Sequence, residues 1–198
     1  MRHGLVFPHA DAGFDEGVAA SRAFCRAAEA NRFDYLAIPD HVAGVDADAR
    51  PGWRGPYDAR HPFREVFVHL GYLAAVTGIE LMPCVLVLPQ RPAVLVAKQA
   101  AELDVLTDGR LRLGIGGGWS AVESRAMGAD FATRGARFDE QIEVMQALWA
   151  APVVSFEGRF HHLDRVGIAP RPPRPIPLWI GGGPSNVSPV TSARVFRR

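Results

Sequence analysis

With 198 residues, 48% of them hydrophobic and 22% charged, and a net charge of +1, the chain has ordinary globular composition and the length for a real core. So even a charge balance gives no electrostatic case for nucleic acid or for an anionic membrane surface. Two cysteines, Cys25 and Cys84, make no disulfide framework, and each lies in an apolar pattern that predicts a buried thiol. No stretch approaches the length of a membrane span, and the apolar run before Pro8 is too short for a signal peptide, so the expectation is a cytoplasmic protein.

Gly4 to Phe7 reads as a first strand, stopped by Pro8. Asp15 to Arg32 is rich in alanine and charge, lacks proline and reads as a helix. Tyr35 to Ile38 reads as a second strand, and Asp40-His41 follows it directly after Pro39. Val42 to His61 is rich in Pro, Gly, Asp and Arg without a period, and a loop of that length in a compact domain is usually functional. Phe63, Val66, Phe67, Leu70, Leu73 and Ala74 carry helical spacing, with Pro62 suited to a first turn and Gly78 closing the helix. Ile79 to Leu88 is a nearly continuous apolar run, as expected of a strand covered on both faces. Pro89 and Pro92 lead into a third helix, Ala93 to Leu106. The turn Thr107-Asp108-Gly109 then feeds a fourth strand, Leu111 to Ile115, a run of glycines, and a helix-compatible segment from Ser120 to Met127. Phe138, Ile142, Met145 and Trp149 form the stripe of a fourth full helix. Val153 to Leu163 predicts a hairpin around Glu157-Gly158, and Leu178 to Ile180 a fifth strand ending in Gly181, Gly182 and Gly183.

Strands alternating with helices at these spacings mean a parallel sheet with right-handed crossovers. An open doubly wound sheet would carry its dinucleotide fingerprint after the first strand, and His9 to Gly13 has none. The α/β order therefore favours a (β/α)8 barrel of TIM type, of which about the first five βα units are present, with a β-hairpin inserted before the fifth strand.

In such folds ligands sit beyond the carboxyl ends of the strands. Three features lie there. Gly116, Gly117 and Gly118, followed by Trp119, either let a ring or phosphate approach the backbone or form a turn that only packs. His41 either exchanges a proton with a substrate or lines the mouth while Asp40 caps the next turn. Gly181 and Gly182 offer backbone N–H groups to a phosphate, or form a plain loop. His161 and His162 are adjacent and would face opposite ways on a strand, no other cluster has ligand spacing, and no metal is expected.

Five blocks occur in order: Phe33 to His41, Ala97 to Asp104, Gly109 to Trp119, Arg137 to Glu140, and Pro177 to Gly182. Together they resemble the bacterial-luciferase-like superfamily, and within it the F420-dependent oxidoreductases. The resemblance implies a barrel holding the deazaflavin F420, or FMN, at its strand ends, acting on a small organic molecule. F420 has carbon where flavin has N5, so it carries hydride and reacts poorly with oxygen. By resemblance His41 is the acid/base, and Asp40, Cys84, Val85, Gly116, Gly117, Gly118, Trp119, Gly181 and Gly182 line the cofactor. A non-prolyl cis peptide is implied near Cys84-Val85. Arg137 and Phe138 are taken as structural. One departure matters. The sugar-phosphate dehydrogenases of this type have an acidic proton donor directly after the last glycine, where this chain has Trp119, its nearest acid being Glu123. Trp119 packs on cofactor or substrate, or fills the loop.

A (β/α)8 barrel typically takes about 250 residues, and here the fifth strand ends at Ile180. The expectation is an incomplete barrel domain over 1–183 and an atypical tail over 184–198, a C-terminally truncated reading that self-associates or forms a homo-oligomer. An FMN-dependent monooxygenase and a non-catalytic truncated paralogue remain as alternatives.

Overall fold

The computed structural model describes residues 2–8, 17–181 and, as backbone, 194–196. Its elements are β1 (Gly4–Val6), α1 (Val18–Ala30), β2 (Tyr35–Ile38), α2 (Val66–Ala74), β3 (Glu80–Pro83), β4 (Leu86–Val87), α3 (Ala93–Leu106), β5 (Leu113–Gly116), α4 (Ala121–Ala126), α5 (Arg134–Ala150), β6 (Val154–Glu157), β7 (His162–Val166), β8 (Leu178–Gly181) and β9 (Arg194–Phe196). The parallel strands run in the order β1-β2-β3, then β4-β5-β8-β9, and the bridge Leu81 to Leu111 joins the two groups. The sheet does not close among the described residues.

Three expectations change. The apolar run Ile79 to Leu88 is two strands: at the Cys84–Val85 peptide, which is cis, the chain steps from pairing with β2 to pairing with β5. The second helix starts at Val66 rather than beside Pro62, because the Glu65 carboxylate accepts the Val68 N–H at 2.8 Å and caps it there. Five strands were expected in the sheet; with the apolar run split in two and β9 added parallel to β8 from residues assigned to the tail, there are seven among the described residues. The hairpin is present as antiparallel β6 and β7.

Helix α2 packs on α3, and α3 on α5, where the Trp149 indole N–H donates to Ala97 O at 2.9 Å. The core between helices and sheet is mainly aliphatic, with Leu36, Ile38, Leu81, Leu86, Leu113 and Ile115 fully buried. Alternate residues point to the other face. There Tyr35 of β2 and Trp179 of β8 meet edge to face at 6.2 Å. Three strand spacings separate them, about 14 Å on a flat sheet, so the sheet is curled. Arg112 lies 4.3 Å over the Trp179 ring and pairs with Glu80 at 2.6 Å, filling the concave floor as a side-chain layer fills a barrel.

Candidate functional site

His41 leaves the carboxyl end of β2 and is held from two sides. Its Nδ1 lies 3.0 Å from Glu123 Oε2. The rings of Phe63, Tyr57 and Trp119 stand 4.8, 5.3 and 5.6 Å from its own. The imidazole is 13% exposed. It opens on a cavity of about 220 Å³ walled by residues 42–45, 57–59 and 61 of the long loop, by Pro62 and Phe63 beyond it, and by Trp119.

Glu123, noted in the sequence only as the acid nearest to Trp119, is the residue whose role the sequence reading did not give. It is 2% exposed. Ser120 caps α4 by accepting the Glu123 N–H at 3.2 Å, and the Glu123 carboxylate bonds outside its own helix. Its Oε1 then accepts the N–H groups of Val42 at 2.7 Å and Ala43 at 3.2 Å. Burial raises the carboxyl, but the His41 and two backbone donors outweigh it and hold the group below its ordinary value. Ser120-x-x-Glu123 is a capping-box pattern, a local signal that this glutamate sits at a helix start. Nothing local signals its reach to a loop some eighty residues earlier.

The long loop is built rather than loose. Asp46 Oδ1 accepts the N–H groups of Asp48 and Ala49, and Ala59 N–H returns to Val45 O at 2.8 Å. Arg60 binds the Asp58 carboxylate and holds it well below the usual carboxylate range. Trp53 of this loop rests on Trp119 at 5.8 Å. Trp119 therefore joins the loop to His41, while 43% of it stays exposed.

Asp40, expected beside a cofactor, is turned inward. Its Oδ2 accepts the Val87 N–H at 3.0 Å and its Oδ1 an Arg91 N–H at 2.8 Å, leaving the side chain 1% exposed. The step between β3 and β4 leaves the Val87 N–H in need of an acceptor, and Asp40 supplies it. Burial pushes this carboxyl up against the pull of Arg91. Cys84, expected as a buried thiol, is exposed at that step, whereas Cys25 is buried.

The glycines divide. A Cβ on Gly116 or on Gly181 would fall 2.5 Å from a Val85 methyl, so both make room for Val85. Gly118 has φ +76° and meets Val87 in the same way. Only Gly117 of the three has an open side, with nothing within 4 Å. Gly182 lies outside the described residues.

His161 and His162 face apart as expected, His161 bonded to Glu140 at 2.7 Å and His162 paired with Glu157. Arg137 lies over the Phe160 ring at 4.9 Å and Phe138 is buried, in line with structural roles. The described residues hold no group of three or more metal-ligating side chains, and no described helix is long and apolar enough to cross a membrane.

The profile of the luciferase-like monooxygenase family matches residues 1–191. An uncharacterized protein of Mycobacterium tuberculosis is 36% identical over 163 residues, covering 79% of this chain and 57% of that protein. An FMNH(2)-dependent dimethylsulfone monooxygenase of Pseudomonas fluorescens is 29% identical over 196 residues, covering 97% of this chain and 50% of that protein. Among solved structures, an F420-dependent secondary alcohol dehydrogenase in complex with an F420–acetone adduct superposes with a TM-score of 0.71 at 22% identity, over 91% of this chain and 52% of that one. That likeness shows the luciferase-like fold, and the chain spans about half the length of the proteins it matches. With the family profile over nearly its whole length, the chain belongs to the luciferase-like monooxygenase family.

Proposed function

We propose that the protein is an F420-dependent oxidoreductase in which His41 exchanges the proton that accompanies hydride transfer with a small organic alcohol or carbonyl compound. The observation that carries this reading is the placement of His41. It stands at the carboxyl end of a sheet strand, with Nδ1 engaged by a buried carboxylate and Nε2 making no hydrogen bond among the described residues. Proton-exchanging groups of barrel enzymes project from that end.

The residues fit a flat ring. Gly117 leaves its side of the strand ends open, Cys84 is exposed at the step between β3 and β4, and Trp119 offers an exposed indole. Cys84, Val85, Gly117 and Trp119 would hold the ring, and the backbone at Gly181 and Gly182 its phosphate-bearing chain. The deazaflavin, when bound, supplies the ring carbon that accepts or returns the hydride. His41 takes the hydroxyl proton in the oxidising direction and returns it in the reducing one. The aromatic wall of Tyr57, Phe63 and Trp119 excludes water from that exchange.

The FMNH(2) dependence of the Pseudomonas fluorescens relative favours a second reading, an FMN-dependent monooxygenase. A titration of the purified chain with F420 and with FMN separates them, followed by fluorescence. F420 bound in preference to FMN, with no oxygen consumed on turnover, supports the first reading. Tight FMN and undetectable F420 binding moves the protein to the second.

A further inference from the structure

We infer that Glu123 is the positioning residue of this site: it fixes His41 in the tautomer that carries hydrogen on Nδ1, so that Nε2 is the basic atom offered to substrate. The catalytic use of that atom rests on the function proposed above; the tautomer does not.

Donor and acceptor numbers at the site fix the tautomer. A carboxylate accepts and does not donate, whereas a neutral imidazole has one donor and one acceptor nitrogen. Glu123 accepts at Oε1 from two backbone N–H groups and faces His41 Nδ1 with Oε2. With its oxygens serving three donors in a buried place, the carboxyl stays ionised, and Nδ1 must carry the hydrogen. In the neutral ring Nε2 is then left with its lone pair. The hydrogen bond at one ring nitrogen selects the state of the other.

The geometry ties this to the substrate loop. Val42 and Ala43 are the first residues of the loop that walls the cavity, and the same carboxylate that orients the imidazole holds their N–H groups. Trp119, four residues before Glu123, packs on His41 from the carboxyl end of β5. A shift of α4 would therefore move ring, loop and indole together. Such supporting partners set ring orientation and raise basicity.

The test is the nitrogen NMR spectrum of the full chain, selectively labelled at histidine and assigned with His41→Gln. At the pH where a pH series shows the His41 ring neutral, wild type should show hydrogen on Nδ1 and an unprotonated Nε2. In Glu123→Gln the amide oxygen can still accept from Val42 and Ala43, but its NH₂ then faces His41 and requires Nδ1 as acceptor, so the hydrogen moves to Nε2. A purely structural glutamate predicts no such inversion. A neutral wild-type ring with hydrogen on Nε2 and none on Nδ1 overturns the inference, as does an unchanged tautomer in a folded Glu123→Gln variant. Should that variant not fold, the wild-type spectrum alone decides. A parallel F420 titration keeps the two readings apart. A chain that fails to bind F420 yet shows the Nδ1–H tautomer contradicts the cofactor and leaves the role of Glu123 standing.

Discussion

Val85 occupies the space that a side chain on Gly116 would need: a Cβ there would lie 2.5 Å from a Val85 methyl. Its other methyl stands in the same relation to Gly181, the residue paired with Gly116 across β5 and β8. Gly116→Ala should therefore destabilise the chain by about 1–3 kcal/mol, the usual cost of overpacking. Val85→Ala in the same chain should recover most of it. Urea unfolding of the two single variants and the double variant measures the coupling, and additive effects would mean the contact is unimportant.

For His41 the expected outcome is a split between turnover and binding. His41→Asn should lower turnover by about 10²–10⁴, as removal of a general acid or base does, with F420 affinity retained. Steady-state rates against F420 titrations of both forms check it. Wild-type turnover in the variant would take His41 out of the mechanism.

The two thiols should differ sharply. Burial, with Glu29 nearby, pushes the Cys25 thiol up to about 11, so at pH 8 only about one molecule in a thousand carries the thiolate. Cys84 is exposed. A disulfide reagent at pH 8 should modify Cys84 first and leave Cys25 intact until the chain unfolds. Equal rates for both, read by mass spectrometry of the peptides, would contradict the burial of α1 against the sheet.

These sites show which parts of the molecule were legible in the sequence. The alternation of apolar strands and striped helices was, because each strand end is punctuated by Pro, Gly or Asp and the periods are clear. The step at Cys84–Val85 could not be read from the residues alone, since an unbroken apolar run looks the same whether it is one strand or two; only the family resemblance pointed to it. Asp40 and His41 are neighbours, and one serves the fold while the other faces the cavity; residue type does not separate them. A glycine that admits a ligand likewise looks the same as one that admits Val85. Glu123 was hidden for a different reason, as its partners lie in a distant loop that carries no period.

Glu140 ties the hairpin to α5 by accepting the N–H groups of Arg159, Phe160 and His161 and the His161 ring nitrogen. Burial opposes its ionisation, but these donors prevail and hold the carboxyl below its ordinary value. A carboxyl depressed in the folded state adds stability that is present above its unfolded value, near 4.5, and is lost as pH falls through the folded one. Glu140→Gln should therefore unfold more readily than wild type at pH 7, with the difference shrinking below about pH 4. Denaturation midpoints at both pH values check the sign. A difference that grew on acidification would place the stabilising charge elsewhere.

The sheet edges give the last prediction. β1 pairs only with β2, and β9 only with β8, among the described residues. Unpaired backbone groups along an edge invite another chain. Val6 of β1 is 57% exposed, and the outer faces of α2 and α3 carry Val68 and Leu95, 74% and 51% exposed. Covering such surface is favourable by about 25 cal/mol per Å². No charge lies within the three residues of β1 to discourage pairing, whereas exposed strands that stay alone usually carry one. The isolated chain should therefore self-associate. Size-exclusion chromatography with light scattering should give a mass above one chain that rises with concentration, and Val6→Lys should lower it. A monomer throughout the concentration range, binding F420 at micromolar levels, would mean that the open edges are protected and that this length of chain suffices for the cofactor.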